Sequence, residues 1–154
     1  MRVAALALAF VSMSCSSARA RWALPVIDAI RPNDPGEDAR AAEVVSYASA
    51  QVGKRYCWGG EGPACFDCSG LVQRAWAFAG VRVPRTSGAI ASQLAEVSLD
   101  HVRAGDILWW PGHVGIYAGR GLEVEALDAR DGVVRRREAH PRRAFRPWSE
   151  AGVR

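Results

Sequence analysis

The spacing of apolar residues changes once along this chain, near residue 101, and that change restricts the possible folds most strongly. Before it, apolar residues recur at helical spacing, whereas after it short β-prone runs are separated by Gly or Pro turns. The helical faces contain Ala41, Val44, Val45, Ala48 and Val52, then Leu71, Val72, Ala75, Trp76 and Ala79, and the β-prone runs are 107–110, 114–117, 122–126 and 133–135. Helices followed by a strand meander predict an α+β domain, with N-terminal helices packed on one face of an antiparallel β-sheet.

Local capping signals set the predicted ends of the helices. Residues 34–37 are Asp-Pro-Gly-Glu, which supplies a capping side chain, a proline at the first helical position and a glutamate three residues after the cap. Gly53 is placed to end this first helix, and Gly80 is placed to end the second. A third, short helix is expected to begin at Thr86 or Ser87.

The first twenty residues have the pattern of an export signal. Arg2 supplies a positive start, residues 3–11 form an apolar run too short to span a bilayer, and residues 18–20 match a signal-peptide cleavage site. We therefore expect a signal peptide at 1–20, no membrane-spanning segment, and export to the periplasm, the cell envelope or the extracellular space. A lipid anchor on Cys15 is the alternative.

The remaining length leaves room for one domain. The chain has 154 residues, and with residues 21–33 as an N-terminal arm the domain is predicted to occupy 34–150. The formal net charge is +4, but 19 of the 20 basic residues are Arg, and no basic stripe interleaved with aromatic residues accompanies them. The three Arg at 135–137, followed by Glu138, are interpreted as exposed strand or loop. We therefore expect no nucleic-acid partner. The protein is also expected to be a monomer.

Cys68 has the sequence surroundings of a reactive thiol. It falls in the first turn of the second predicted helix, with Asp67 at the capping position. Unpaired backbone N–H groups and the positive end of the helix dipole stabilise a thiolate there and lower the pKa of the thiol. The same N–H groups can hold the oxyanion of a tetrahedral intermediate. Gly70, one turn into the helix, is expected to leave open space for a substrate.

A thiolate nucleophile needs a base, and His113 is the histidine with the most defined setting. It begins a predicted strand directly after a Pro-Gly turn, whereas His101 lies in a loop and His140 in a polar, Arg-rich segment. The imidazole needs a third group to fix its orientation. The next predicted strand offers Glu123 and Glu125 on one side, although a solvated strand face is the alternative interpretation of both.

These residues and their spacing resemble the NlpC/P60 cysteine peptidases of bacterial cell walls. The resemblance covers about residues 39–134 and rests on five motifs in the family's order: Tyr56-x-Trp58-Gly59-Gly60, Asp67-Cys68-Ser69-Gly70-Leu71, Pro84-Arg85-Thr86-Ser87, Gly105-Asp106 and His113-Val114-Gly115-Ile116-Tyr117. It implies a papain-like core with Cys68 as nucleophile and His113 as general base and acid. It also implies that Tyr56 lies near the oxyanion or the substrate, and that Asp67 and Ser69 shape the pocket.

The resemblance also implies a third catalytic residue and a reaction. The family's third position, commonly His, falls on Glu125, which we prefer to Glu123. The implied reaction is hydrolysis of an amide bond in peptidoglycan stem peptides, typically after γ-D-Glu and before a diamino acid, and the cationic Arg85 could bind a substrate carboxylate. Two alternatives stay open: a wall-binding domain of the same fold without turnover, and a papain-like acyltransferase.

The other cysteines near Cys68 are expected to form a disulfide. Export favours oxidation, and pairing Cys57 with Cys65 leaves Cys68 free. A Cys65–Cys68 bridge is less favoured, and a thioredoxin-type redox site is disfavoured because a Gly-rich loop precedes the C-x-x-C sequence. A zinc site formed by these three cysteines and His113 is disfavoured because no second C-x-x-C supports it. We expect no metal and no cofactor.

Overall fold

The computed structural model describes residues 35–147, with side chains from Ala39 onward. Its elements are α1 (Pro35–Ser49), β1 (Arg55–Tyr56), β2 (Cys65–Phe66), α2 (Cys68–Phe78), α3 (Ser87–Gln93), β3 (Ala95–Val97), a 3₁₀ turn (Leu99–His101), β4 (Ile107–Trp110), β5 (His113–Gly119), β6 (Leu122–Ala126), β7 (Val133–Arg137) and β8 (Arg143–Arg146). The predicted signal peptide at 1–20, Cys15, the arm at 21–33 and the capping residue Asp34 lie outside the described residues. No described helix is long and apolar enough to cross a membrane.

Six strands form one sheet in the order β3-β8-β4-β5-β6-β7, and every pairing in it is antiparallel. Strands β4 to β7 are the predicted meander, in which each strand pairs with the next. Strand β8 returns across the sheet to lie between β3 and β4, while β1 and β2 form a separate parallel pair. The pattern did not predict β1, β2, β3 or β8, but the α+β fold with helices on an antiparallel sheet is confirmed.

Helices α1 and α2 pack against β5 and β6 around a shared core. The core contains the predicted helical faces, except Val52, and the inward residues of the meander. Its fully buried side chains include Val44, Ala48, Leu71, Val72, Ala75, Trp76, Ile116 and Val124. Each large aliphatic side chain buried in this way contributes about 1.5–3 kcal/mol to stability. This packing holds α2 in place against β5.

The first helix ends earlier than predicted. It stops at Ser49, and Gly53, the predicted end, instead donates its backbone N–H to the carbonyl oxygen of Val133 at 2.9 Å. Val52, assigned to the apolar face, is 45% exposed. The chain leaves the helix because its backbone pairs with the start of β7, where the N–H of Val133 also donates to the carbonyl oxygen of Lys54 at 2.8 Å.

The ends of α2 and α3 agree with their capping signals. The side chain of Asp67 accepts a hydrogen bond from the backbone N–H of Gly70 at 2.6 Å, and Thr86 caps α3, which begins at Ser87. Gly80 follows α2 with a φ of 78°, a left-handed conformation that favours glycine. Both predicted helix starts are confirmed.

A buried ion pair joins β8 to the turn before β4. The carboxylate of Asp106 is fully buried and accepts hydrogen bonds from Nε of Arg146 at 2.8 Å and from its Nη2 at 2.6 Å. The backbone N–H of Arg103 donates to the same carboxylate at 2.7 Å. This cluster therefore ties the returning strand to the meander.

We expect Arg146→Met to lower the free energy of unfolding by about 3 kcal/mol, because it leaves the buried Asp106 carboxylate without its charged partner. Denaturant unfolding followed by circular dichroism measures this change. Arg142→Met is the matched control, since Arg142 is exposed, and we expect it to change the free energy by less than about 0.5 kcal/mol. Equal effects of the two substitutions would contradict a structural role for the ion pair.

Candidate active site

Cys68 is the first residue of α2 and the free cysteine of the described part of the chain. The cap formed by Asp67 fixes where the helix begins, because Oδ1 of Asp67 accepts the N–H of Gly70. The backbone N–H groups of Cys68 and Ser69 therefore fall among those that have no acceptor within a helix. Because Cys68 begins the helix, its thiol lies at the positive end of the helix dipole. The residue is half-buried, so the thiol remains accessible to a reactant.

His113 lies beside this thiol. It is the first residue of β5, the strand against which α2 packs, and it pairs with Trp110 across a tight turn. Burial raises the pKa of the Cys68 thiol, but the hydrogen bond and charge of His113, together with the backbone N–H of Val114, outweigh burial. The net effect is a pKa below the ordinary value for cysteine, so the arrangement favours a thiolate.

The pKa of His113 shifts in the complementary direction. Burial lowers it, but the hydrogen bonds and charges of Cys68 and Glu125 outweigh burial and raise the pKa to about 9. A thiol with a lowered pKa and an imidazole with a raised pKa exchange a proton readily. The two shifts together favour the thiolate–imidazolium form of the pair.

Glu125 is the carboxylate that contacts the imidazole. Its Oε2 forms a hydrogen bond with Nε2 of His113, which leaves Nδ1 as the ring nitrogen available to Cys68. Glu125 is fully buried, and its Oε1 accepts a hydrogen bond from Nε of Arg136. Burial raises the pKa of Glu125, but His113 and Arg136 outweigh it and hold that pKa below its usual value. An ionised carboxylate thus orients the imidazole.

Glu123 is fully buried beside Glu125 but makes no hydrogen bond to His113. Its Oε1 lies 3.4 Å from Nε of Arg136, and neither of its oxygens has a hydrogen-bond donor among the described residues. The interpretation of Glu123 and Glu125 as a solvated strand face is therefore wrong.

Arg85, the predicted receptor for a substrate carboxylate, already has protein partners. Its Nη1 and Nη2 donate to the two carboxylate oxygens of Asp67 at 3.0 and 2.7 Å, and its Nε donates to Glu61 at 2.7 Å. Nη1 also lies 3.0 Å from Oγ of Ser69, which it reaches as a donor. Burial raises the pKa of Asp67, but Arg85 and the backbone N–H of Gly70 hold it below its usual value. Arg85 therefore holds Asp67 and Ser69, the residues on either side of Cys68, in place. Its binding of a substrate carboxylate stays a prediction.

Gly70 does not leave space for a substrate, contrary to the sequence-based expectation. A Cβ at this position would collide with the carbonyl oxygen of Gly60. That carbonyl accepts the backbone N–H of Asp67 at 2.9 Å, so the Gly-rich loop packs directly on the first turn of α2. Glycine is needed at position 70 because two backbone segments approach each other there.

A disulfide closes the loop that precedes α2. Cys57 and Cys65 are bonded, with Cα atoms 5.7 Å apart, and this is the pairing that leaves Cys68 as a thiol. A zinc set built on all three cysteines and His113 would require two thiolates that this bond removes. The alternative Cys65–Cys68 bridge is absent from the described residues for the same reason.

An open cleft of about 360 Å³ gives access to the thiol. Its walls include Cys68, His113, Tyr56, Trp58 and Ser87, and Trp58 is 93% exposed. Burial, followed by the nearby charges of Cys68 and Asp67, raises the pKa of Tyr56. Its hydroxyl therefore stays protonated and can donate a hydrogen bond into the cleft.

The sequence model of the NlpC/P60 family matches residues 53–146, which include the thiol, the imidazole and both buried glutamates. The chain belongs to the NlpC/P60 family. A probable endopeptidase of Corynebacterium glutamicum is 39% identical over 128 residues, covering 77% of this chain and 58% of that protein. The probable endopeptidase p60 of Listeria monocytogenes is 39% identical over 90 residues, covering 55% of this chain and 19% of that protein. This NlpC/P60 chain thus spans less than two thirds of either relative.

Solved structures of NlpC/P60 proteins share the fold. The peptidoglycan hydrolase RipB from Mycobacterium tuberculosis superposes with a TM-score of 0.67 at 29% identity, over 72% of this chain and 66% of that chain. The NlpC/p60 domain of the peptidoglycan hydrolase SagA superposes with a TM-score of 0.64 at 27% identity, over 69% of this chain and 97% of that domain. Nearly the whole SagA domain therefore has a counterpart here.

Sequence reasoning missed Arg136 in this NlpC/P60 site. The predicted exposed run at 135–137 lies on strand β7, and all three of its arginines are exposed as expected, but the guanidinium of Arg136 also donates to the buried Glu125. The register of β6 against β7 would have indicated it, because Arg136 on β7 lies opposite Glu123 on β6. His101 and His140, by contrast, are exposed and do not line the cleft.

Proposed function

We propose that this chain is a cysteine endopeptidase that hydrolyses amide bonds in peptidoglycan stem peptides, with the bond between γ-D-Glu and a diamino acid as its target. One observation carries the proposal. The thiol of Cys68 begins a helix, faces an open cleft, and hydrogen-bonds to His113, which a buried Glu125 carboxylate orients. This is the arrangement that acyl transfer through a thioester requires.

Acylation begins with attack of the Cys68 thiolate on the carbonyl carbon of the scissile amide. The C–S bond forms as the carbonyl π electrons move to oxygen, and the backbone N–H groups at the start of α2 and the hydroxyl of Tyr56 are positioned to donate to that oxyanion. The imidazolium of His113 then gives its proton to the leaving nitrogen as the C–N bond breaks. An amine departs, and the acyl group remains on sulfur as a thioester.

Deacylation returns the enzyme to its starting state. Neutral His113 removes a proton from a water molecule, whose oxygen attacks the thioester carbonyl. Collapse of this second tetrahedral intermediate breaks the C–S bond, so that a carboxylic acid leaves and the thiolate–imidazolium pair is restored. Throughout both steps, the Glu125 carboxylate stabilises the positive charge of the imidazolium.

The substrate assignment is supported by the relatives and by the shape of the cleft. RipB and SagA are described as peptidoglycan hydrolases, and the Listeria and Corynebacterium relatives as probable endopeptidases. The cleft is open and carries the exposed ring of Trp58, which suits a branched peptide attached to a polymer. Action at the cell envelope follows from this substrate, and export through residues 1–20 is part of the same proposal.

The test is a digest of defined muropeptides by the full chain, with products resolved by mass spectrometry. We expect diaminopimelate-type or lysine-type muropeptides to gain one water and to split on the carboxyl side of γ-D-Glu. Binding without cleavage would instead support the wall-binding alternative. A product that carries an added amine in place of water would support an acyltransferase, and either result would overturn the hydrolase assignment.

A further inference from the structure

Two buried carboxyl groups lie close to the imidazole of His113, and the proposed reaction uses only one of them. Glu123 and Glu125 are both fully buried and project from the same side of β6, because alternate residues of a strand share a face. Arg136 lies opposite Glu123 on β7 and is partly exposed. We call Glu123, Glu125 and Arg136 the carboxylate cluster.

Strand β5 makes room for this cluster. A Cβ at Gly115 would lie 3.3 Å from the Cβ of Glu125 and 3.8 Å from Oε2 of Glu123, so no β5 side chain separates the two carboxyl groups there. The titratable groups that face Glu123 are Tyr117, its neighbour in register on β5, His113 on the same strand, and the two other members of the cluster. The hydroxyl of Tyr117 already accepts the backbone N–H of Gly121 at 3.0 Å.

The charges in the carboxylate cluster do not balance if both glutamates are ionised. The single guanidinium of Arg136 bonds to Glu125, and its Nε stays 3.4 Å from Glu123. Glu123 would then be a fully buried carboxylate without a donor among the described residues, which is a costly state. As a neutral acid, Glu123 has an O–H group and a carboxylate acceptor beside it in Glu125.

The electrostatics agree with this geometry. Burial, followed by the negative charge of Glu125, raises the pKa of Glu123 to about 7, whereas the pKa of Glu125 is held low by His113 and Arg136. The two environments therefore separate the carboxyl groups into one acid and one carboxylate.

We propose that Glu123 is a positioning residue which, as the neutral acid, donates a hydrogen bond to the Glu125 carboxylate, and whose ionisation lowers the activity of the Cys68–His113 pair. This inference rests on the proposed function and adds a regulation of the same site by pH. When Glu123 loses its proton, Glu125 loses a donor and the two carboxylates compete for Arg136. The added negative charge also makes the imidazolium of His113 a weaker acid toward the leaving amine.

The first test is the pH dependence of kcat/KM for muropeptide hydrolysis by the full chain, between about pH 5 and pH 10. For the wild type we expect an alkaline fall in two steps: a several-fold fall as Glu123 ionises, and a later one as His113 loses its proton. In Glu123→Gln, whose amide donates but cannot ionise, the first step disappears. Glu43→Gln is the matched control, because Glu43 is exposed on α1, and it should keep the two-step profile.

A second substitution separates hydrogen bonding from packing. Glu123→Leu fills the buried site but has no donor, so we expect kcat below the first step to fall by about tenfold with little change in KM. Gln at the same position should restore most of that loss. If the Leu and Gln variants are equally active, or if Glu123→Gln keeps the two-step profile, the proposal is overturned.

A readout independent of hydrolysis distinguishes this proposal from the proposed function. The ring nitrogen signals of His113 can be followed by nuclear magnetic resonance as pH changes, with His101 and His140 as internal references. We expect an extra inflection at the ionisation of Glu123 in the wild type and none in Glu123→Gln. If His113 titrates identically in the wild type and in Glu123→Gln, the role of Glu123 is overturned. If the two titrations differ as expected but the protein cleaves no muropeptide, only the hydrolase assignment is overturned.

Discussion

Cys68→Ala is expected to abolish hydrolysis of muropeptides, with kcat falling by about ten-thousandfold or more, while the fold is retained. The covalent route exists only if a thiolate attacks the carbonyl, and removal of a nucleophile that acts as a unit with its base removes nearly all of the rate enhancement. Alanine is a strong helix former and is smaller than cysteine, so the first turn of α2 and its Asp67 cap accommodate it. Product formation measured by mass spectrometry, together with an unchanged circular dichroism spectrum, checks this result.

The matching control removes the other two cysteines of the described residues. The double substitution Cys57→Ala and Cys65→Ala breaks the disulfide but leaves the Cys68–His113 pair in place. We expect iodoacetamide to alkylate Cys68 in this variant and in the wild type at pH values where an ordinary thiol is protonated, because the pKa of Cys68 is lowered. Retained hydrolysis by Cys68→Ala would contradict the proposed mechanism. Slow alkylation of Cys68 at neutral pH would contradict the thiolate–imidazolium pair.

The parts of the site that depend on local sequence could be predicted. The Asp67 cap, the apolar period after it and the glycine after α2 act within a few residues of one another, so they place Cys68 on the first turn of a helix. His113 is similarly determined by the tight turn that pairs it with Trp110. Bringing the two together required only the common packing of a helix on the central strands of a sheet.

The parts that depend on strand register could not be predicted from local pattern, and only the family resemblance indicated Glu125. Glu123, Glu125 and Arg136 have the alternating, charged pattern of exposed strands, and only the pairing of β6 with β7 in three dimensions buries the first two and brings the third to them. Gly70 was misread for a related reason. The atom that occupies its space belongs to Gly60, ten residues earlier in the chain.

Strands β3 and β8 were missed because their stability is not local. Both are short, and β8 has an Arg at each end, a composition that does not predict a strand. Arg143 donates to Glu96 on β3 at 2.7 Å, and Arg146 is paired with the buried Asp106. The two arginines that make β8 difficult to predict from sequence are therefore the residues that stabilise it in the sheet.

Glu125→Gln is expected to reduce kcat for muropeptide hydrolysis by about a thousandfold with a much smaller change in KM. The imidazolium of His113 loses the anion that stabilises it, so the pKa of His113 falls and less thiolate forms at neutral pH. The glutamine amide can also donate to Nε2, which favours the tautomer that carries its proton on Nδ1. That tautomer cannot accept a proton from Cys68, since Nδ1 is the nitrogen available to the thiol.

Glu125→Gln also tests how Arg136 stabilises the buried carboxyl groups, in addition to its effect on activity. Once position 125 is neutral, the guanidinium retains one buried carboxyl group within reach, that of Glu123, whose Oε1 is 3.4 Å away. Burial still raises the pKa of Glu123, but the repulsion from Glu125 is gone, so we expect Glu123 to ionise more readily and to pair with Arg136, which preserves the fold. Adding Glu123→Gln to Glu125→Gln removes this compensation, and the double variant should unfold at a lower denaturant concentration than either single variant.

Three measurements together decide the role of Glu125. Single-turnover hydrolysis gives the loss in the chemical step, the pH dependence of Cys68 alkylation gives the shift of the thiol pKa to higher values, and denaturant unfolding gives stability. A thousandfold loss of turnover together with the alkylation shift and a retained fold identifies Glu125 as the group that orients His113. Activity within about threefold of the wild type, or a larger loss for Glu123→Gln than for Glu125→Gln, would assign that role elsewhere. The comparison is decisive because both carboxyl groups are equally buried on the same strand, so burial alone cannot account for a difference between them.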